Sequence, residues 1–484
     1  MKLKELLSGM DDARFFADPE MEITSVTYDS RKVTPGCLFV AITGFATDGN
    51  LYIPMAMDKG AVAVVTAKKP ALDVPHVLVD NDRLALAMIG ANFYGHPGKS
   101  MKMIGVTGTN GKTSSTLLLK HVLETVQGAK VGLMGTMENM IGDTRIPAER
   151  TTPESLDLQA LLAQMRDAGC THVIMEVSSH AICLERVGGL QYDVAAFTNL
   201  TEDHLDFHET MENYCDAKAM LFSRCNKAVG NMDDAWYDRM FRSCNCNVIA
   251  TSAKKEADLY AKNIQLLADG ICFGAVYGGK QVEVRLPIPG KFTVYNALSV
   301  LGMALQLDIG LEDGAKALAT ASGVKGRVEV VPTPGKPYTV LIDYAHTPDG
   351  LENVLSSVKG FCTGRLIAVF GCGGDRDPIK RPIMGKIGTD IADIAVITSD
   401  NPRTEEPMAI IADIVKGIDS DKENYKVIEN RPKAIAYAMD IAQKNDIIVL
   451  AGKGHETYQE ICGVKHHLDE REVVADYLEN TREK

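Results

Sequence analysis

Residues 101–113 read MKMIGVTGTNGKT, a short apolar run that passes into a glycine-rich segment ending in Gly111-Lys112-Thr113. The apolar run has the length and two-sided hydrophobicity of a buried parallel strand, and the sequence that follows at 113–126 has a helical pattern. Glycines in such a loop let backbone N–H groups approach a phosphate, and the following helix points its amino end at the anion. The stretch therefore predicts a nucleotide-binding strand–loop–helix unit within an α/β sheet.

Further apolar runs end abruptly in glycine or short polar residues, as the first one does. They lie at 172–177, 192–197, 365–370, 394–397 and 446–451. Helical patterns such as KAIAYAMDIAQ lie between them, and this alternation indicates doubly wound α/β domains with parallel sheets. Ligands bind outside the carboxyl ends of the strands in such sheets, so the polar clusters after the runs are candidate functional residues.

The chain of 484 residues is long enough for three domains of roughly 150 residues each. Breaker-rich stretches at 94–98 and 322–326 mark the expected boundaries. We therefore expect an α/β protein with domains at 1–98, 99–326 and 327–484. The central domain is expected to hold a P-loop ATPase-like parallel sheet, and the carboxyl-terminal domain is expected to be Rossmann-like.

The composition excludes some classes of function. A net charge of −13 does not suit a nucleic-acid binder, because phosphate neutralisation needs a basic face. The amino-terminal residues do not have the pattern of a secretory signal, and no apolar run reaches the roughly 18 residues of a membrane span. Eleven scattered cysteines fit reduced thiols, and the Cys244/Cys246 pair has no second pair nearby to complete a zinc site. We expect a cytoplasmic monomer with no nucleic-acid or membrane partner.

The loop at 108–113 and two polar groups further along predict a site for ATP and Mg²⁺. Lys112 would reach the β- and γ-phosphates, and the Thr113 hydroxyl would bind the metal ion. Glu176, at the end of the run HVIMEV, could add a carboxylate, and His204 in TEDHLD could add a neutral imidazole. A chance GKT in a surface loop is the alternative, since the usual first glycine is a valine here. The strand before the loop and the helix after it favour ATP binding.

Polar clusters in the last third of the chain predict a pocket for a small zwitterion. They are DYAHTPD at 343–349, GCGGDRD at 371–377, DNPR at 400–403 and GKGHE at 452–456. Arg376 or Arg403 could pair with a carboxylate. Glu456 or Asp400 could hold an ammonium group. Ordinary surface ion pairs between loops are the alternative, but several clusters on successive strand ends favour a site.

Together these motifs resemble those of the Mur ligase family, in the family's order and over nearly the whole chain. The matching segments include GTNGKT at 108–113, MEVSSHA at 175–181, TNLTEDHLDFH at 198–208, KFTVYNA at 291–297 and DYAHTPD at 343–349. The resemblance implies an ATP-dependent, amide-forming ligase of peptidoglycan synthesis, with ATP and Mg²⁺ as cofactors. It also implies that Lys218 is carbamylated and aids the metal ion, whereas the sequence by itself shows only a lysine on a helix.

The resemblance assigns individual residues to each function. The ATP-site positions are Gly108, Thr109, Asn110, Gly111, Lys112, Thr113, Ser114, Asn296, Arg327, Asp343 and His346. The catalytic positions are Lys112, Lys218 and His204, and the metal positions are Thr113, Glu176 and His204. The UDP-substrate positions are Ser30, Thr151, Thr152, Ser178 and Arg186. The amino-acid positions are Arg376, Asp400, Asn401, Pro402, Arg403, Gly452 and Glu456.

The DNPR sequence at 400–403 is similar to that of the diaminopimelate-adding branch of the family. In that branch Arg403 would bind the distal carboxylate that lysine lacks, so the implied substrates are a UDP-muramoyl dipeptide and meso-diaminopimelate. Two residues depart from the family pattern. Val324 precedes the hinge where proline is usual, and Asn50 stands where histidine is common.

The resemblance implies that ATP converts a D-glutamate carboxylate into an acyl phosphate, which the amine of the incoming amino acid then attacks. Because acyl phosphates react with water, we expect the carboxyl-terminal domain to close over the central one. Three alternatives stay open: a ligase that adds lysine, a folylpolyglutamate-type ligase, and a non-catalytic ATP-dependent switch. The switch would keep the phosphate loop but would not need the Arg/Glu cluster after residue 370.

Overall fold

The computed structural model describes residues 1–44, 47–267, 270–323 and 325–482. Val324, in the predicted second boundary, lies outside the described residues, as do Glu483 and Lys484 at the end of the predicted third domain. Among the described residues, no helix has both the length and the apolar character that a membrane crossing requires.

The amino-terminal segment forms a small mixed sheet. Its elements are α1 (Leu3–Leu6), β1 (Arg14–Phe16), β2 (Ser25–Thr27), β3 (Cys37–Ala41), α2 (Ile53–Asp58), β4 (Ala61–Thr66), β5 (His76–Leu78) and α3 (Asp82–Phe93). The strand order is β1-β5-β4-β3-β2, with β1 antiparallel to β5 and the other pairs parallel. Helix α3 begins after Asn81, whose side chain accepts hydrogen bonds from Arg83 N and Leu84 N and so caps the free amides of the first turn.

The middle segment contains the strand and helix predicted around the glycine-rich loop. Its elements are β6 (Lys102–Thr107), α4 (Lys112–Gln127), β7 (Val131–Met134), β8 (Glu138–Ile141), β9 (Thr144–Pro147), α5 (Ser155–Asp167), β10 (His172–Glu176), α6 (Ser179–Cys183), β11 (Tyr192–Phe197), α7 (Leu205–His208), α8 (Met211–Ala219), β12 (Cys225–Asn231), α9 (Tyr237–Met240), β13 (Asn247–Ser252), β14 (Leu259–Leu267), β15 (Gly270–Tyr277), β16 (Lys280–Leu286), α10 (Lys291–Gln306) and α11 (Leu311–Leu318). Strands β13, β12, β11, β6, β10 and β7 are neighbours in that order and all pair in parallel. Strand β6 is central, so the loop that follows it lies in the middle of the sheet's carboxyl edge.

The carboxyl-terminal segment forms a second doubly wound sheet. Its elements are β17 (Glu329–Val331), β18 (Thr339–Asp343), α12 (Pro348–Lys359), β19 (Leu366–Phe370), α13 (Lys380–Ile391), β20 (Ile394–Ile397), α14 (Pro407–Val415), β21 (Tyr425–Val427), α15 (Arg431–Ile441), β22 (Ile447–Ala451), β23 (Tyr458–Ile461), β24 (Val464–His467) and α16 (Glu470–Arg482). The sheet order is β17-β18-β22-β19-β20-β21, and all pairs except β17–β18 are parallel. The predicted polar clusters therefore follow four adjacent strands, β18, β22, β19 and β20.

Both faces of this sheet are covered, which explains why its strands are apolar at every position. In β22, Ile447 and Val449 pack into the core shared with α12, α13 and α14. The alternate residues Ile448 and Leu450 pack into the core shared with α15 and α16. Successive side chains of a strand point to opposite faces, so a strand buried on both sides reads as a continuous apolar run. The predicted α/β class, with a central parallel sheet and a Rossmann-like carboxyl-terminal sheet, is confirmed.

The described chain divides into two compact units. The first unit is Met1–Tyr260 with Leu298–Gly314, and the second unit is Ala261–Ala297 with Ala315–Lys484. The first unit holds the amino-terminal sheet and the parallel strands around β6. The second unit holds the β15–β16 hairpin and the carboxyl-terminal sheet. The boundaries expected near residues 98 and 326 stay predictions.

Candidate functional site

The glycine-rich loop is a tight connection between the end of β6 and the start of α4. Gly108 has a φ of 142°, and a Cβ atom there would collide with Thr198 Oγ1. Gly111, with a φ of 83°, directly precedes α4, which begins at Lys112. Glycine is the residue that tolerates such backbone angles and close approaches. The loop thus places backbone N–H groups at the amino end of a helix of 16 residues, an arrangement suited to phosphate.

The loop is held from the side by the residues that follow β11. Thr109 N donates a hydrogen bond of 2.8 Å to Asn199 O, and Asn110 N donates one of 2.9 Å to Asn199 Oδ1. Thr198 Oγ1 donates a hydrogen bond of 2.7 Å to Asn110 O. The loop is therefore fixed by its neighbours, so a bound phosphate would not have to order it.

Lys112 lies over the loop that it belongs to. Its Nζ donates hydrogen bonds of 2.9 Å to Gly108 O and 2.7 Å to Thr109 O. Ser114 is half-buried two residues further along α4. The structure thus brings the predicted phosphate-binding residues of the first unit together at one strand end.

Glu176, the last residue of β10, is buried next to this loop. Thr113 Oγ1 donates a 2.9 Å hydrogen bond to Glu176 Oε1. Thr136 N donates one of 3.0 Å to the same oxygen, and Thr136 Oγ1 donates one of 2.9 Å to Glu176 Oε2. Thr136 Oγ1 also lies 3.0 Å from Thr151 Oγ1. Hydroxyl and carboxylate oxygens are the hard donors that Mg²⁺ prefers.

Across the described ranges, no three His, Cys, Asp or Glu side chains are arranged to hold a metal ion. A magnesium ion at Thr113 and Glu176 would therefore take its remaining ligands from phosphate and water oxygens, as this ion commonly does. The residues fit such an ion.

His204, the other predicted metal ligand, has different neighbours. Its Nε2 lies 3.4 Å from Asp203 Oδ2, and its half-exposed ring meets the His180 ring edge-on with centroids 4.8 Å apart. A φ of 54° places His204 in the left-handed region directly before α7. Its role as a metal ligand stays a prediction.

A buried histidine near His204 was missed by the sequence reasoning. The Nε2 of His208 lies 2.8 Å from Ser179 Oγ, and its ring packs against Tyr214 and His180. Burial, helped by the nearby His180 and Lys218 side chains, lowers the pKa of His208 to about 4. The sequence places His208 in the TNLTEDHLDFH motif, but no periodicity marks which of the motif's two histidines is buried.

His208 should make the stability of the first unit depend on pH. Its pKa is lower in the folded chain than the usual 6.5, so the unfolded chain takes up a proton first as the pH falls. The free energy of unfolding is expected to decrease as the pH falls from about 6.5 to about 4. Below that range this histidine should cause no further loss of stability. Replacing His208 with glutamine, which can still bond Ser179, should flatten this part of a urea-unfolding profile. The exposed His466→Gln variant is the control and should keep the wild-type slope; equal slopes in both variants would contradict the assignment.

Lys218 is buried on α8, although a lysine in this pattern would usually face solvent. Its Nζ donates a 3.1 Å hydrogen bond to Gly108 O and lies 4.5 Å from the centre of the Tyr214 ring. Burial, followed by the charge of Lys112, lowers the pKa of Lys218 well below its usual value. The amine therefore tends towards its neutral, nucleophilic form beside the phosphate loop.

Four of the five predicted UDP-substrate residues lie around Glu176. Besides Thr151, which reaches the carboxylate through Thr136, Thr152 Oγ1 donates a 2.8 Å hydrogen bond to Glu176 O and accepts one of 3.2 Å from Ser178 N. Arg186 Nη1 donates to Thr152 O at 3.3 Å. Ser30 is buried in a short helical turn of the amino-terminal segment, and among the described residues no hydrogen bond or ion pair joins it to the others.

Several arginines surround the buried carboxylate of Glu154, a group that the sequence reasoning did not select. Arg186 Nε lies 3.4 Å from Glu154 Oε2, Arg83 Nη1 lies 3.5 Å from it and Arg150 Nη1 lies 4.0 Å from it. Arg83 comes from α3 of the amino-terminal segment, whereas Glu154 precedes α5. The cluster has more positive than negative charge, so this part of the first unit suits an anionic substrate.

In the second unit, a buried lysine links the predicted amino-acid residues. The side chain of Lys453 is fully buried, and its Nζ donates a 2.8 Å hydrogen bond to Asn401 Oδ1. The same Nζ lies 3.5 Å from Asp400 Oδ1 and 3.4 Å from Glu456 Oε2. Asn401 Nδ2 donates to Glu456 Oε2 at 2.9 Å. Sequence reasoning quoted the GKGHE motif but gave Lys453 no role.

Asp400 is held ionised by buried cations. Burial by itself would raise its pKa, but Lys453 and Arg431 outweigh that effect and the pKa of Asp400 is lowered. Arg431 Nη1 lies 4.0 Å from Asp400 Oδ2. Gly452 has a φ of 117°, and a Cβ atom there would lie 2.5 Å from Asp400 Oδ2. The glycine thus allows the chain directly after β22 to pass close to the carboxylate.

The two predicted carboxylate-binding arginines both lie close to Gly373. A Cβ atom at Gly373 would lie 2.9 Å from Arg403 Nη1 and 3.9 Å from Arg376 Cγ. Arg403 also donates a 2.7 Å hydrogen bond to Gly374 O, and Arg376 is exposed. Pro402 packs its carbonyl against Gly374, where a Cβ atom would collide with it. The predicted amino-acid residues are thereby gathered at the ends of β19, β20 and β22.

The remaining predicted ATP residues also lie in the second unit. Asp343 accepts hydrogen bonds of 2.8 Å from both Val328 N and Ala345 N, and burial raises its pKa. Arg327 lies over the Tyr344 ring, 5.3 Å from its centre. His346 and Asn296 were also predicted to bind ATP. Burial lowers the pKa of His346, and Asn296 is buried on α10. Their part in ATP binding stays a prediction.

Family models match most of the chain. The model of the Mur ligase family catalytic domain matches residues 22–94, that of the Mur ligase middle domain matches 106–304, and that of the Mur ligase glutamate ligase domain matches 326–454.

Individual proteins are similar over the full length. A "UDP-N-acetylmuramoyl-L-alanyl-D-glutamate--2,6-diaminopimelate ligase" of Clostridium botulinum is 46% identical, and the match covers 99% of each chain. A solved structure of a ligase with the same name is 32% identical, with a TM-score of 0.76 and coverage of 100% and 99%. A MurF ligase of Thermotoga maritima, solved in complex with ADP, is 18% identical, with a TM-score of 0.63 and coverage of 96% and 99%, and shows the fold alone. The chain described here belongs to the Mur ligase family.

Proposed function

We propose that this chain is an ATP-dependent ligase that joins meso-diaminopimelate to UDP-N-acetylmuramoyl-L-alanyl-D-glutamate, in the cytoplasmic synthesis of peptidoglycan precursors. Family membership and 46% identity to the Clostridium botulinum ligase support this function. One structural observation carries it: Thr113 of the phosphate loop and Thr152 of the predicted acceptor segment both donate hydrogen bonds to Glu176. A phosphate donor and a carboxylate acceptor bound at these residues would lie side by side.

The proposed reaction needs no side-chain nucleophile. A carboxylate oxygen of the D-glutamate would attack the γ-phosphorus of ATP, and ADP would leave. The amine of diaminopimelate would then attack the acyl carbon, lose a proton and expel phosphate. Lys112 and the loop N–H groups would stabilise the negative charge of the transferring phosphoryl group. Mg²⁺ held by Thr113 and Glu176 would act as a Lewis acid and neutralise part of the same negative charge.

The buried amine of Lys218 supports a second part of the proposal, its carbamylation. A neutral amine can add to carbon dioxide to give a carbamate and release a proton, whereas an ammonium group has no free electron pair. The lowered pKa of Lys218 favours the neutral form. The carbamate would add negative charge near the proposed magnesium site and is proposed to aid metal binding.

The family pattern also supports a division into domains at 1–98, 99–326 and 327–484, which we retain as part of the proposal together with a monomeric state. In this division the first domain would bind the UDP part of the substrate through Ser30. The central domain would bind ATP and the muramoyl dipeptide. The last domain would bind the amino acid.

A phosphate-release assay tests the proposed function and its specificity. Purified protein with ATP, Mg²⁺ and the UDP-muramoyl dipeptide should release phosphate with meso-diaminopimelate and not with L-lysine. Turnover with lysine alone would overturn the specificity. No turnover with either amino acid would overturn the ligase proposal and favour a nucleotide-dependent switch.

Arg403→Ala should chiefly weaken amino-acid binding. The guanidinium is proposed to hold the distal carboxylate of diaminopimelate in a charge-assisted pair, and losing such a pair costs about 1.5–3 kcal/mol. The KM for diaminopimelate is therefore expected to rise about 10- to 100-fold, with a smaller change in the KM for ATP. Steady-state phosphate release at varied diaminopimelate concentration measures both values.

Two further variants sharpen this experiment. Arg403→Lys keeps the charge but loses the planar fork, so it should recover only part of the affinity. Arg285→Ala, an exposed arginine paired with Glu283, should leave both KM values unchanged. An unchanged KM for diaminopimelate in Arg403→Ala would show that Arg403 does not bind the carboxylate.

A further inference from the structure

A cluster of thiols lies in the first unit, away from the residues used in the proposed reaction. The sulfur atoms of Cys244 and Cys246 are 2.6 Å apart, and Cys225 Sγ lies 3.6 Å from Cys246 Sγ. Cys225 is buried, whereas Cys244 and Cys246 are partly exposed. A small-molecule reagent can therefore reach the pair from solvent.

The sheet itself brings these thiols together. Cys225 is the first residue of β12, and Cys246 directly precedes β13. The two strands are parallel neighbours, with Lys227 opposite Asn247. The thiols therefore lie at the amino ends of the strands, whereas Gly108 and the rest of the phosphate loop follow a carboxyl end. Two residues separated by one are close enough along the chain for their sulfurs to bond.

The surroundings of the cluster favour disulfide chemistry over metal binding. In the part of the chain that the structure describes, no group of three or more His, Cys, Asp or Glu side chains is placed to hold a metal ion. Burial raises the pKa of Cys225 to about 11 and also raises that of Cys246. These shifts lower the thiolate fraction of both residues, so the short distance between the sulfurs, and not their acidity, is what favours bond formation.

We propose that Cys244 and Cys246 are a reversible dithiol–disulfide pair that exchanges with small-molecule disulfides. The thiolate of Cys244 attacks one sulfur of the disulfide, which forms a mixed disulfide and releases one small thiol. The Cys246 thiol then gives up its proton to solvent, and its sulfur attacks the sulfur of Cys244, which closes the intramolecular bond and releases the second small thiol. The pair loses two electrons and two protons, and the small disulfide gains them. Cys225 lies beside the pair as a third thiol.

The full chain, equilibrated with mixtures of oxidised and reduced glutathione and then alkylated, tests this assignment. Mass spectrometry of wild type should find a loss equal to two hydrogen atoms, and peptide mapping should place the bond between Cys244 and Cys246. Because the second thiol acts at a high effective concentration, half-oxidation is expected at a glutathione mixture at least about tenfold more reducing than that which modifies exposed Cys462.

Serine variants distinguish this pair from general thiol reactivity. Cys246→Ser should stop at a mixed disulfide on Cys244, and Cys225→Ser should still form the Cys244–Cys246 bond. Cys462→Ser is the matched control and should form the Cys244–Cys246 bond at the same glutathione mixture as wild type. The proposal is overturned if Cys244 and Cys246 are still free thiols, and so become alkylated, at a glutathione mixture that already forms mixed disulfides on exposed Cys183 and Cys462. It is also overturned if the bond maps to Cys225 instead. None of these outcomes depends on ligase activity.

Discussion

Lys112→Ala should lower phosphate release by about 10³-fold or more, since the lost cation is expected to act on the transferring phosphoryl group. The Nζ of Lys112 lies over the loop oxygens of Gly108 and Thr109, within the turn whose N–H groups are proposed to hold the phosphates. Electrostatic stabilisation of this kind is needed most in the transition state, so kcat should fall more than the affinity for ADP. Phosphate release with diaminopimelate and isothermal titration with ADP measure the two effects separately.

Lys130→Ala is a suitable control, because this exposed lysine lies beyond the end of the same helix and donates to Ala168 O. It should retain wild-type turnover. Lys112→Arg keeps a positive charge, but its guanidinium group is larger than the ammonium group that lies against the loop, so turnover should remain strongly impaired. Turnover of Lys112→Ala close to that of Lys130→Ala would mean that the glycine-rich loop does not bind the reacting phosphates.

The positions of the strands could be read from the sequence because burial leaves a local signal. Strands β6, β10, β11, β19, β20 and β22 coincide with the predicted apolar runs to within a residue or two. The polar clusters could be located for the same reason, since each begins where an apolar run stops. The neighbouring order β18-β22-β19-β20 explains why four clusters that are far apart in sequence meet at one edge.

The interior polar residues could not be predicted in this way. Lys218 follows a helical pattern in which a lysine usually faces solvent, yet it is buried against Gly108, which lies 110 residues earlier in the chain. Lys453 stands between two glycines with no periodicity at all, and its burial depends on Asp400 and Asn401 from another strand end. Local patterns report which face of an element is apolar, but long-range packing decides which single polar side chain is enclosed.

Lys453→Met should destabilise the second unit by about 3–5 kcal/mol, the usual cost of removing one partner from a buried ion pair. Methionine keeps much of the packing volume but leaves Asp400 and Glu456 without the ammonium group between them. Arg431, 4.0 Å from Asp400, compensates only in part. Urea unfolding followed by circular dichroism should show an earlier transition at neutral pH.

The pH dependence of this loss separates charge from packing. The pKa of Asp400 is lowered in the folded chain, so its ionised form contributes stability above the usual carboxylate pKa, and this contribution disappears as the pH falls through the lowered value. Without Lys453 the carboxylate should protonate more readily, and the difference between wild type and Lys453→Met should shrink in acid. Lys444→Met, which changes an exposed lysine before β22, should match wild type throughout. A loss that is equally large at neutral and acidic pH would identify lost packing, and not the unpaired carboxylates, as its cause.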